Sequence, residues 1–301
     1  MNNSGAFIKK NVHVSTVNKY LIYIVIVLTA LTINDSVLVA QHGNISAKDK
    51  KSIDAMTEAH KSLGGSTIDN IDSLILTGSQ ISGVFETRAS TSKMTRIMET
   101  VCEFEIRVQF PDDFIHIRRC PDLMNGLVIY YGISNGSMFS DSATLQNEVL
   151  SRSTPDSSVA LDEWNRLLVG MIMKNISTPL MLSTDSSDNF VIKNEDRLLG
   201  TIVFDVKDKW PAKINYNVTA LVPVLSKGSD GRMVYAGDSR SEERSAYVQF
   251  SDRFSVDGIM FPKTITRVNS GEVEVAMTIN DVKINPKLSK EDFGIPAKFA
   301  K

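Results

Sequence analysis

The sequence predicts an α+β fold that is mainly β. Three observations carry this. Apolar residues alternate with polar ones through most of the chain after residue 70, and the clearest case is residues 102–110. Two stretches carry helical stripes instead, one ahead of the strands and one among them. Asp257-Gly258 stands between two late alternating runs and signals a hairpin turn.

Residues 1–40 stand apart. Lys9, Lys10 and Lys19 precede a 14-residue apolar run from Tyr20 to Ile33, broken only by Thr29 and Thr32 and ended by Asn34, Asp35 and Ser36. That length suits a signal-peptide core better than a membrane span, which needs about 20 residues. The expectation is a signal peptide over residues 1–40, cut after Ala40. The alternative is an uncleaved N-terminal anchor in which the run continues through Val37, Leu38, Val39 and Ala40. Either way residues 46–301 are expected outside the cytoplasm, most simply as a periplasmic protein, or tied to the inner membrane by residues 20–40. Residues 41–45 form a short polar link.

The first helix follows. Ser46 is placed to cap it, and Ile53, Met56, His60 and Leu63 recur at helical spacing. Gly64 and Gly65 should stop it. His60 reads as a half-buried helix histidine. In the strand at 102–110, Cys102, Phe104, Ile106, Val108 and Phe110 face one way and Glu103, Glu105, Arg107 and Gln109 the other. This is the pattern of an antiparallel strand with one wet face. Pro111, Asp112 and Asp113 make a turn, and residues 114–120 return as the second arm.

Two registers of that hairpin compete. A turn centred on Pro111 sets Cys102 opposite Cys120, where they could bond, but puts His116 and Arg118 on the apolar face. A shift of one residue brings Ile115 and Ile117 beside Phe104, Ile106 and Val108 and separates the cysteines. Burying an unpaired Arg118 is costly, so the hydrophobic pattern favours the second register. A bulge would reconcile the two.

Further strands are expected at 127–131, 200–206, 212–218, 246–254 and 260–268. In a separate final long strand Val273, Val275, Met277 and Ile279 share a face, and the parity then shifts to Val282 and Ile284, which predicts a bulge at Asn280-Asp281. A second helix is expected over 159–174, with Leu161, Trp164, Leu168, Met171 and Ile172 on its apolar face. Residues 226–243 are polar and contain several glycines, and read as a long loop.

Composition narrows the function. Of 301 residues 42% are hydrophobic and 23% charged, and 33 basic against 35 acidic residues leave a net charge of −2, so there is no basic stripe for nucleic acid. Two cysteines and four dispersed histidines give no sequence-local metal cluster, and no cofactor motif is present. Only His60 and His116 lie within residues 46–301, and no Gly-x-Ser-x-Gly elbow or His-Glu-x-x-His helix accompanies them. Asp112 and Asp113 sit in a turn, where carboxylates are usually solvated. The chain reads as a binding protein and not an enzyme.

The order of several short motifs resembles the LolA-like superfamily of bacterial lipoprotein-localisation factors and related periplasmic lipid-binding proteins. They are Ser62-Leu63-Gly64-Gly65 leading to Ile71-Asp72-Ser73-Leu74, then Phe110-Pro111-Asp112, the Asn135-Gly136 turn, and Phe250-Ser251-Asp252. Val256-Asp257-Gly258-Ile259-Met260-Phe261-Pro262, Asp281-Val282-Lys283-Ile284-Asn285-Pro286 and Phe293-Gly294-Ile295-Pro296 complete the series. The resemblance implies an incomplete, curved antiparallel β-barrel with helices plugging its open side and an apolar cavity for acyl chains. It supplies no catalytic residue. Candidate cavity residues are Phe104, Ile106, Val108, Ile115, Ile117, Trp164, Leu168, Met171, Val273, Val275 and Met277. The expected partner is a lipid or lipoprotein acyl chain, carried through the periplasm. The alternative is a sensor or scaffold on the same fold that binds a membrane-associated partner protein.

Overall fold

A computed structural model describes residues 47–88, 93–123, 126–134, 136–144, 149–153, 157–176, 180–185, 189–194, 197–227 and 233–294. The expected export segment at 1–40, the link at 41–45, the cap Ser46 and Asn135 of the expected Asn135-Gly136 turn lie outside them. Among the described residues no helix is long and apolar enough to cross a membrane.

Thirteen described strands form one antiparallel sheet. In chain order they are β1 (Ser73–Arg88), β2 (Lys93–Gln109), β3 (Asp113–Cys120), β4 (Leu127–Ser134), β5 (Ser137–Thr144) and β6 (Val149–Ser153). Then come β7 (Leu180–Thr184), β8 (Phe190–Asn194), β9 (Arg197–Phe204), β10 (Pro211–Lys227), β11 (Met233–Val256), β12 (Ile259–Asn269) and β13 (Glu272–Ile284). Two meanders, β1 to β6 and β7 to β13, meet where β1 pairs with β13. The edge strands β6 and β7 are not bonded to each other, so the barrel stays incomplete.

Helix α1 (Ala47–Leu63) and a single turn, α2 (Ser66–Asp69), precede the sheet. Helix α3 (Ser157–Ile172) connects its two edges. Trp164 of α3 stacks on Phe114 of β3 with ring centroids 4.5 Å apart, while the same helix packs against β9, β10, β11 and β12. One helix thus touches both meanders, and the sheet curves around it. This is the curved, helix-plugged half-barrel that the resemblance implies.

Local chemistry explains several elements. α1 ends as Gly65 N–H donates to the His60 carbonyl at 2.9 Å. Its buried residues are Ser52, Ala55, Ala59 and Leu63, so the stripe lies one step round from the expected one, with Ile53, Met56 and His60 half-buried at its margin. Small residues line the contact because α1 lies close to the sheet: Ser52 Oγ is 2.5 Å from Thr184 Oγ1 of β7. The Asp257-Gly258 turn has φ of 49° and 81° at its two residues, the left-handed values a two-residue hairpin needs. The expected bulge on β13 is present. Asp281 pairs with Thr77 and Ile279 with Gly78, which leaves Asn280 as the extra residue.

Two expectations need correction. Much of the stretch 226–243, read as a loop, is strand: β10 and β11 stay paired from Lys213 with Gln249 out to Lys227 with Met233. Ladder bonds need no apolar alternation, and the exposed Ser239, Arg240 and Ser241 carry none. The second correction concerns β2 and β3. Gln109 pairs with Asp113 and Phe104 with Arg118, so the turn centres on Pro111, and Cys102 and Cys120 form a disulfide. Ile115 and Ile117 therefore lie on the face opposite Phe104. The reason is a second hydrophobic cluster there. Ile115, Ile117, Val128, Tyr130 and Ala143 are covered by Phe293, which a 3₁₀ turn (Lys290–Phe293) delivers. With both faces of β3 covered, the rule of one apolar and one wet face has no hold on it.

Candidate functional site

The inner face of the sheet is built from aligned rows. Gln80 of β1 sits between Cys102 of β2 and Met277 of β13. Ile106 pairs with His116 of β3, which pairs with Tyr131 of β4. On the other side Val275 pairs with Arg267 of β12, which pairs with Val248 of β11. Helix α3 covers these rows with Ala160, Glu163, Trp164 and Leu167, and a cavity of about 230 Å³ lies between helix and sheet.

Apolar groups form most of the wall, namely Trp164, Leu167, Val248, Ile265, Val275 and Met277, and a polar group of Gln80, His116, Arg118, Glu163 and Arg267 interrupts it. Glu163 pairs with Arg267, and Glu274 reaches the same guanidinium at 3.1 Å. Burial opposes the charge on Arg267, but Glu163, Glu274 and Tyr216 outweigh it and raise its pKa above the ordinary value. Arg118 is held differently. Its Nη2 donates to the Tyr131 hydroxyl at 2.8 Å, and its guanidinium lies 5.0 Å from the centre of that ring. His116 meets Phe104 edge-on at 6.0 Å. Burial, with the charges of Arg118 and Arg267, lowers its pKa to about 3, so it is neutral near pH 7.

The expected cavity residues separate into three groups. Trp164, Val275 and Met277 line the cavity. Phe104, Ile106, Val108, Leu168 and Met171 are buried in the adjoining core, packed with Leu74, Leu76 and Phe114. Ile115 and Ile117 belong to the outer cluster, and Val273 is 37% exposed. Gln80, His116, Arg118, Tyr131, Glu163 and Arg267 are cavity residues that sequence reasoning missed. Correct pairing of β2 with β3 was the one signal that would have placed His116 and Arg118 inside. Among the described residues no group of three or more His, Cys, Asp or Glu side chains could hold a metal ion.

Fold and site together define a class: an open, curved antiparallel sheet closed over by a helix, with a mainly apolar cavity between them. No family model and no curated protein matches the chain. Among solved structures it is similar to a LolA superfamily protein from Nitrosomonas europaea, at 14% identity and a TM-score of 0.45 over 82% of this chain and 98% of the other. It is also similar to a DUF1329 family protein from Desulfovibrio piger, at 10% identity and a TM-score of 0.45 over the same shares of both chains.

Proposed function

We propose that this protein is an exported binding protein that shelters the apolar chain of a lipid or a lipoprotein acyl group, for carriage through the periplasm. The observation that carries this reading is the mainly apolar cavity of about 230 Å³ between α3 and the sheet. Each methylene taken from water into such a wall gains about 0.8 kcal/mol, so even part of a chain supplies useful affinity. Sites for drug-sized ligands run to roughly 300–1,000 Å³. A long chain therefore requires α3 to shift from the sheet. Export is supported by the lysines and apolar run of residues 1–40, and by the Cys102–Cys120 bond, which persists in an oxidising compartment.

The test fills the space. Ala160 lines the cavity from α3, and Ala160→Phe should occupy it while leaving the packed core intact. The variant is expected to keep its melting temperature and lose binding of a fluorescent fatty acid that the wild type retains. Lipid extracted from the gently purified wild type, identified by mass spectrometry, should be absent from the variant. A well-folded wild type that yields no lipid and binds no probe overturns the reading. Leu168 does not suit this purpose: it is fully buried in the core, and a carboxylate there would disrupt the fold itself.

A further inference from the structure

The polar end of the cavity needs its own explanation, because buried polar atoms are normally hydrogen-bonded. Its buried atoms without a hydrogen-bond partner among the described residues include Gln80 Oε1, His116 Nε2 and Arg118 Nε, whereas Arg267 Nε, also without one, still has the Glu274 carboxylate at 3.1 Å. Gln80, His116 and Arg118 come from β1 and β3 and all line the cavity. Arg267 is held by Glu163 and Glu274, so an added anion beside it would meet two carboxylates. Arg118 has only the Tyr131 hydroxyl and ring as polar partners among the described residues, and neither balances its charge.

We propose that this end of the cavity receives the carboxylate head of a fatty-acid-like amphiphile, held by the guanidinium of Arg118 and by His116, with the alkyl chain running along Trp164, Leu167 and Val275. This rests on the acyl-chain reading and adds to it the charge of the head. An Arg–carboxylate contact is the strong, charge-assisted kind, and Arg118 Nε is a donor left without a partner. Neutral His116 supplies one further N–H in the tautomer that carries its proton on the unpartnered Nε2. Turning the Gln80 amide by half a rotation would let the Ser82 hydroxyl donate to Oε1 and aim the Gln80 NH₂ group at the same carboxylate; Gln80 Nε2 and Ser82 Oγ are 2.7 Å apart. A single carboxylate suits a cavity of about 230 Å³ with one unbalanced guanidinium better than a bulky phosphodiester head.

The experiment compares dodecanoate with dodecanol, which share a chain and differ in the head, by displacement of a fluorescent probe and by calorimetry. Acetate and inorganic phosphate are tested alone. Wild type should bind dodecanoate about tenfold or more tighter than dodecanol, the scale of one charge-assisted bond. Arg118→Met should remove the preference while still binding dodecanol, and Arg118→Lys should restore part of it. Equal affinities of the wild type for the two amphiphiles overturn the carboxylate proposal and leave the acyl-chain reading standing. Binding of neither overturns both. Acetate or phosphate binding as tightly as dodecanoate also overturns both, since the chain would then contribute nothing. If Arg118→Met melts far below the wild type, the comparison of the two amphiphiles on wild-type protein decides alone.

Discussion

His116 shows how a residue's surroundings set its chemistry. The unfolded chain takes up a proton at the ordinary histidine value of 6.5, whereas in the folded protein burial, Arg118 and Arg267 hold His116 neutral down to about 3. Between those values the unfolded state binds more protons, so stability rises with pH. The contribution from neutral His116 is complete above pH 6.5 and is lost progressively as pH falls toward 3. The charged and titratable side chains with it around the cavity are Arg118 on its own strand, Tyr131 on β4, Glu163 on α3 and Arg267 on β12. Urea unfolding at stepped pH should show His116→Gln losing less stability than wild type across that window; parallel curves would mean that His116 is protonated in the folded protein. Strand alternation alone placed His116 and Arg118 on the wet face because an unpaired Arg118 inside is costly. What lowers that cost is Tyr131, 13 residues further on and brought alongside only by the β3–β4 pairing.

At the scale of elements, α3 decides whether there is a cavity at all. Its extent, Ser157–Ile172, and its buried Trp164, Leu168, Met171 and Ile172 follow the helical stripe. The distance at which it sits does not follow from a stripe. Gly170 faces Phe250 of β11, and a Cβ at that position would lie 1.8 Å from the ring. Phe250 is buried, with Trp210 across its edge at 6.5 Å, so the ring has little room to give. Gly170→Ala is therefore expected to destabilise by about 1–3 kcal/mol, as overpacking does, despite alanine's better helix propensity. Denaturant midpoints of the two proteins test this. A gain in stability would show that the helix can move outward freely, and a longer acyl chain would then be admitted at little expense.

For the whole molecule, the informative feature is that the sheet has two hydrophobic faces in one region. Phe293 is 1% exposed, far along the chain from the strands it covers, and Arg107 Nη1 donates to the Asp292 carbonyl at 2.9 Å to hold that segment down. Phe293→Ala should cost about 3–5 kcal/mol and leave fatty-acid binding per folded molecule unchanged, because its cluster lies on the face away from the cavity. Urea titration beside the probe assay separates the two effects. The sequence by itself determined the α+β class, both long helices, the Asp257-Gly258 turn and the bulge at Asn280, since each depends on backbone preference and polarity within a few residues. Tertiary structure alone decided the β2–β3 register, the bonding of Cys102 to Cys120 and the residues that line the cavity. Which face of a strand is wet depends on what covers it. For β3 the cover on one face is Trp164 stacked on Phe114, and on the other it is Phe293; both arrive from distant parts of the chain, beyond the reach of any local pattern.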